Sequence, residues 1–145
     1  MAGTTPALIG GEAYAMSVLL VSALDDAEAR GPAGLDVPIM AGGEPGLDAC
    51  GTLGQVVGLD PNGDGDLSVR GGPGGPPHRE IDRAYNGQAV AICDERGSWL
   101  AVVYAGATSR GLDCGVATPW PVHRPYTGPC EYGRVHRRYI RFVAG

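Results

Sequence analysis

The segment Leu67-Ser68-Val69-Arg70-Gly71-Gly72-Pro73-Gly74-Gly75 restricts the possible folds more than any other stretch of the chain. Leu67 and Val69 alternate with Ser68 and Arg70, the period of two expected where one face of a strand is buried. The run Gly-Gly-Pro-Gly-Gly-Pro-Pro at 71–77 must then be a loop. Proline has no amide to give to a ladder, and glycine loses more freedom on ordering than any other residue.

Similar short runs follow. Glu80-Ile81-Asp82-Arg83-Ala84-Tyr85 reads as a second strand. Asn86-Gly87 then predicts a hairpin into Gln88–Cys93, because a type I′ turn needs positive φ at both central residues. Both faces of Gln88–Cys93 are apolar, which places that strand in the middle of a sheet. Asp94-Glu95-Arg96-Gly97 turns the chain into Trp99–Tyr104, and residues 105–132 are irregular and rich in glycine and proline. Arg134-Val135-His136 and Ile140-Arg141-Phe142-Val143 complete the set as two strands joined by a tight turn. Several short strands with little helix after residue 30 can hide their edges by curling into a small all-β barrel.

Glycine (25) and proline (12) make up about a quarter of the 145 residues, a fraction that borders on disorder. The 43% hydrophobic content and the alternation argue instead for a loop-rich folded domain with an N-terminal extension. Such a chain needs staples, and four well-separated cysteines are present: Cys50, Cys93, Cys114 and Cys130. An even number without a Cys-x-x-Cys pair suggests two disulfides and an oxidising compartment. Three pairings are possible. The favoured one joins Cys114 to Cys130, because the span between them has almost no periodic apolar content and cannot order itself by burial. It leaves Cys50 with Cys93, stapling an extended strap to a strand.

Residues 13–24 form an apolar stretch too short to span a bilayer as a helix, and Ala27-Glu28-Ala29 offers a small-x-small cleavage site. Residues 1–29 therefore read as a signal peptide, although no basic residue precedes Arg30. Residues 30–48 read as a linker or strap and 49–145 as the barrel domain. The expected location is periplasmic or secreted, with no transmembrane segment in the mature chain.

Charge is divided unevenly. Residues 1–105 carry five arginines against 14 acidic residues, and residues 106–145 carry six arginines against two. A net charge of −5 disfavours nucleic acid, whose affinity rests on phosphate neutralisation. Arg134, Arg137, Arg138 and Arg141 form the one basic strip, suited to an anionic ligand or to a solvated strand face.

The ordered residues from Leu67 to Val143 resemble a bacterial SH3-like (SH3b) domain. The opening Leu-x-Val-Arg-x-Gly-Pro strand is matched by Leu67 to Pro73. The glycine before the third strand is matched by Gly87, and the Gly-x-Trp that opens the fourth by Gly97-Ser98-Trp99. The closing Gly-Trp-Val, 3₁₀ turn and final strand are matched by Gly133 to Ile140, with Arg134 where the family has tryptophan. The four-cysteine version is similar to small exported proteins of Gram-negative bacteria. The resemblance implies an all-β fold, a small SH3-like β-barrel with a long disulfide-closed loop and an N-terminal extension. It also implies a non-catalytic module that binds peptide or a peptidoglycan stem. The alternatives are a protein that docks on another envelope protein and, behind it, a small hydrolase; a monomer without a cofactor is expected.

The candidate contact residues are aromatics and arginines: Trp99, Tyr104, Trp120, Tyr126, Tyr132, Arg134 and Arg138. No serine lies in a nucleophile elbow, and the acid pairs Asp25-Asp26 and Asp94-Glu95 fall in a terminal segment and a turn. No catalytic residue is assigned. A zinc site from Cys114, His123, Cys130 and His136 fits no standard spacing, and no metal site is assigned. Asp60-Pro61-Asn62-Gly63-Asp64-Gly65-Asp66 imitates the start of a calcium loop, but Gly71 stands where the bidentate glutamate belongs. It reads as an Asx-rich turn.

Overall fold

The computed structural model describes residues 35–75 and 78–145. The expected signal peptide, Asp25-Asp26 and the start of the strap lie outside the described residues. The regular elements are strands β1 (Met40–Ala41), β2 (Thr52–Val56), β3 (Leu67–Arg70), β4 (Glu80–Ala84), β5 (Ala89–Arg96), β6 (Trp99–Tyr104), β7 (Arg124–Pro125), β8 (Glu131–His136) and β9 (Ile140–Ala144). A 3₁₀ turn, Arg137–Tyr139, joins β8 to β9. The described chain is all-β, as the alternation requires.

Seven strands form one sheet in the order β4-β3-β8-β6-β5-β2-β9, and β1 pairs separately with β7. The ends of the large sheet, β4 and β9, do not pair with each other, so the sheet is open, not the closed barrel expected from sequence. Two features keep it open. β2 and β3 are consecutive in the chain, but the excursion 57–66 carries them apart, to either side of the β8-β6-β5 centre. β3 then meets β8 through the single pair Arg70↔Arg134. The β4 edge carries Glu80 and Arg83, charges that blunt an exposed strand against further pairing.

The Asn86-Gly87 turn is present, with Gln88 N–H donating to Tyr85 C=O at 3.0 Å and φ of 90° at Gly87. It does not form a hairpin, because β4 and β5 are not neighbours. Instead Asn86 caps the 57–66 excursion. Its carboxamide accepts from Leu59 N–H at 3.0 Å and donates to Leu59 C=O at 2.9 Å, while Gly87 N–H donates to Val56 C=O at 2.8 Å. The true hairpin lies one step later. β5 runs on to Arg96 and turns at Gly97-Ser98 into β6, so Asp94 to Arg96 are strand rather than turn.

β5 is central, between β6 and β2, and both faces of the sheet are covered. On one face Val56, Val69, Leu100, Val102 and Val135 form one buried cluster. On the other face Ala101 and Val103 of β6 lie beneath Leu35, Ile39, Cys50, Val116 and Tyr126, contributed by the strap and the long loop. These covering segments have no ladder of any length. They are held by Cys50–Cys93 and Cys114–Cys130, the favoured pairing. The β5–β6 register slips between Ile92 and Asp94, leaving Cys93 as the extra residue of a bulge. A bulge re-aims a side chain, and here it serves the bridge to Cys50.

Arg134 takes a role that the basic strip did not suggest. It is 1% exposed, at the centre of β8. Its guanidinium donates to the carbonyls of Val37 (2.6 Å) and Pro38 (3.0 Å), tying the strap across the sheet. Burial pushes its pKa down, with Arg96 adding to the shift and Asp94 opposing it.

Candidate ligand-binding groove

Four of the seven aromatic and arginine candidates are internal. Tyr104 is buried, and its hydroxyl donates to Asp82 at 2.6 Å. Burial, then the bond to Asp82, pushes its pKa well above the ordinary phenol value. Tyr126 stacks on Trp120 with centroids 6.3 Å apart and meets Tyr132 edge-on at 5.2 Å. Its hydroxyl donates to Cys114 C=O and accepts from Cys130 N–H, so it bridges the two ends of the disulfide loop. Tyr126, Tyr132 and Arg134 therefore hold the covering layer together instead of lining a contact surface. Aromatics on a proline-stiffened loop look like groove walls in the sequence, and Arg134 like part of a basic strip. In a loop with no ladder, the same rings supply the core.

Trp120 is half-buried, donates its indole N–H to Gly115 C=O at 2.9 Å, and carries Arg124 over its ring at 3.8 Å. The basic strip is also dispersed. Arg137 pairs with Glu95, Arg141 donates to Gln55 at 2.5 Å, and only Arg138 stays exposed without a carboxylate or amide partner among the described residues. Cys114 and Cys130 are bonded to each other, so their sulfurs are not free for zinc. Among the described residues no group of three or more His, Cys, Asp or Glu side chains is placed to hold a metal.

Trp99 remains, and it opens a groove. A cleft of about 400 Å³, within the size range of small-ligand sites, is lined by Asp60, Asp64, Asp66, Arg70, Trp99, His136 and Tyr139. Each wall has a local cause. Trp99 follows the Gly97-Ser98 turn, where φ of 59° at Gly97 allows the tight reversal. It pairs across the ladder with His136, whose ring meets the indole edge-on at 5.4 Å. The Nδ1 of His136 accepts from Arg138 N–H at 3.0 Å, capping the 3₁₀ turn and leaving its other ring nitrogen as the N–H tautomer. Tyr139 ends that turn and lies against Gly58, where an added Cβ would come 3.9 Å from the ring. The opposite rim is the excursion 57–66. Asp60 shapes it as an Asx turn, accepting from Asn62 N–H at 2.9 Å. Asp66 shares Arg83 at 3.4 Å.

The described residues also form three other concavities. One, of about 350 Å³, sets Tyr132 beside Asp82 and Glu131. The largest, about 820 Å³, is walled mainly by the glycine-rich turn 42–51 and the Cys50–Cys93 bridge. Its lining includes Glu44, Asp48, Asp94 and His123 but no Trp, Tyr or Phe. A trough of about 550 Å³ beside β2 and β9 is almost wholly apolar, bordered by the exposed Leu53, Leu112 and Val143. The Trp99 groove brings Trp99, Tyr139 and the His136 ring together with charged groups in one open cleft. Sequence reasoning missed Tyr139, His136 and the acidic rim as its partners. Only the signature Gly-x-Trp followed by a 3₁₀ tyrosine could have pointed to them. The chain matches no model of a known protein family, no curated protein and no solved structure.

Proposed function

We propose that the protein is a non-catalytic binding module of the bacterial cell envelope that holds a peptide or a peptidoglycan stem in the Trp99 groove. The observation that carries this reading is the convergence of Trp99, His136 and Tyr139 with a charged rim in one open cleft. The SH3-like resemblance supports it. The strand–3₁₀–strand order at the C-terminus and the tryptophan opening β6 follow the pattern of that family. Rigid rings suit this task because they lose little entropy on contact. The two disulfides fit an oxidising space such as the periplasm. Among the described residues no helix is long and apolar enough to cross a membrane.

Retention of the oxidised protein on purified peptidoglycan at low salt tests the reading, with Trp99→Ala and Tyr139→Ala as controls. Retention that both substitutions abolish supports it, whereas equal retention of all three proteins, or none by wild type, refutes it. One observation favours a second reading, docking on an envelope protein. The mainly apolar trough beside the free β9 edge exposes Leu53, Leu112 and Val143. Co-purification at fixed stoichiometry that Leu53→Asp abolishes would select that reading.

A further inference from the structure

We infer that the Trp99 groove selects its ligand by a positive charge, an amine or guanidinium, and not by an anion. This builds on the proposed function and fixes the sign of the group bound there. It reverses what the basic strip suggests from sequence alone.

The cleft presents three carboxylates, Asp60, Asp64 and Asp66, against one guanidinium, that of Arg70. Arg70 donates to His78 C=O at 2.9 Å and keeps its charge, so the carboxylates outnumber it three to one. Asp66 is partly offset by Arg83, but Asp60 and Asp64 are exposed and have no ion pair among the described residues. The acidic rim alone would be an ordinary solvated turn. Its partner is the aromatic wall, because the faces of tryptophan and tyrosine attract cations through their quadrupole. The protein already uses this interaction beside the groove, where the Arg138 guanidinium lies 5.7 Å from the Tyr139 ring centroid. Carboxylates on one side and π faces on the other complement an alkylammonium group. An anion would meet net repulsion.

Arg138 becomes the discriminating residue. It is exposed on the 3₁₀ turn, contributes nothing to the buried clusters, and stands beside the cleft. For a cationic ligand it is a like-charged competitor, whereas for an anionic ligand it adds favourable charge to that of Arg70.

The experiment is calorimetric titration of the oxidised protein with two stem peptides at low salt. One carries a free side-chain amine on its diamino acid and the other carries the same amine acetylated. We expect the free amine to bind about tenfold more tightly, corresponding to roughly one desolvated charge contact. Asp64→Asn should weaken the free-amine peptide about fivefold, the scale of one exposed charge pair at about 4 Å, and leave the acetylated peptide unchanged. Arg138→Ala should tighten the free-amine peptide about two- to fivefold, again the scale of one exposed charge. Equal affinity for the two peptides, or weaker binding by Arg138→Ala, overturns the inference while leaving the groove as the binding site. Absence of binding by either peptide removes the proposed function and this inference together.

Discussion

Arg134→Met separates a structural arginine from a ligand contact. The guanidinium makes two charge-assisted hydrogen bonds, to Val37 and Pro38 C=O, at the centre of the covering layer. Bonds from a charged donor contribute about 1.5–3 kcal/mol each, which sets a ceiling of about 3–6 kcal/mol for losing both. Methionine fills similar volume and relieves the cost of burying a charge, an exchange that can offset much of the loss. We therefore expect a net destabilisation of about 2–4 kcal/mol, a large part of a typical domain's 5–15 kcal/mol. Arg134→Lys keeps the charge but loses the planar fork that reaches two carbonyls, and should lie between wild type and Met. Urea unfolding of the oxidised protein, followed by tryptophan fluorescence, gives the energy. Hydrogen exchange at the Tyr126 amide, which donates to Ile39 C=O at 2.8 Å, reports whether the strap has loosened. A Met variant as stable as wild type, with unchanged Tyr126 protection, would refute this account of the strap.

Three further outcomes are expected. Replacing Cys114 and Cys130 with serine should cost about 3 kcal/mol by loop entropy, and replacing Cys50 and Cys93 about 4 kcal/mol, because the closed spans are 16 and 43 residues. Equal urea midpoints for the two double variants and wild type would contradict that ordering. Gly133→Ala places a Cβ 2.4 Å from Val69 Cγ1 and 3.1 Å from Arg70 C=O, and should lower stability by about 1–3 kcal/mol through overpacking. An unchanged thermal midpoint would mean that β3 shifts freely against β8. For Glu131, burial raises the carboxyl's pKa, but hydrogen bonds from Ser109, Thr108 and Gly106 N–H outweigh it, and the pKa falls below its ordinary 4.5. Its stabilising contribution is thus complete above about pH 4.5 and is lost as pH falls through the lower folded value. Glu131→Gln should flatten the acid limb of a stability–pH curve, whereas an acid limb parallel to wild type would count against it.

The strands were largely legible because alternation marks a half-buried sheet. Leu67–Arg70 and Trp99–Tyr104 have the bounds the pattern gives. β2 was missed because Gly54 breaks its apolar run. The glycine is itself a signal of close approach, since a Cβ there would meet Ile140 at 2.7 Å and Ile92 at 3.1 Å. Which strands pair was less legible than where they lie. Asn86-Gly87 specifies a turn, but the carboxamide's bonds to Leu59 decide what the turn connects. The aromatic groove was half legible. Trp99 stood out, but Tyr126 and Tyr132 looked like equal candidates, because composition does not distinguish a ring lining a surface from one filling a core. Arg134 was misread for the opposite reason. Only the strap carbonyls, far away in sequence, give its charge a buried partner.

The two apolar clusters differ in their chemistry. The one around Val56 and Leu100 contains no cysteine, whereas Cys50 and Cys130 belong to the other. In a reducing cytosol the sheet would keep its own packing, but the covering layer would lose its covalent anchors and rest on its apolar contacts and the Arg134 bonds to Val37 and Pro38. Opening it would bare Val103, Tyr126 and Tyr132 together, a patch prone to self-association. Solubility of this polypeptide is therefore tied to the compartment in which its thiols are oxidised, and premature folding before oxidation would favour aggregation over a merely loosened fold.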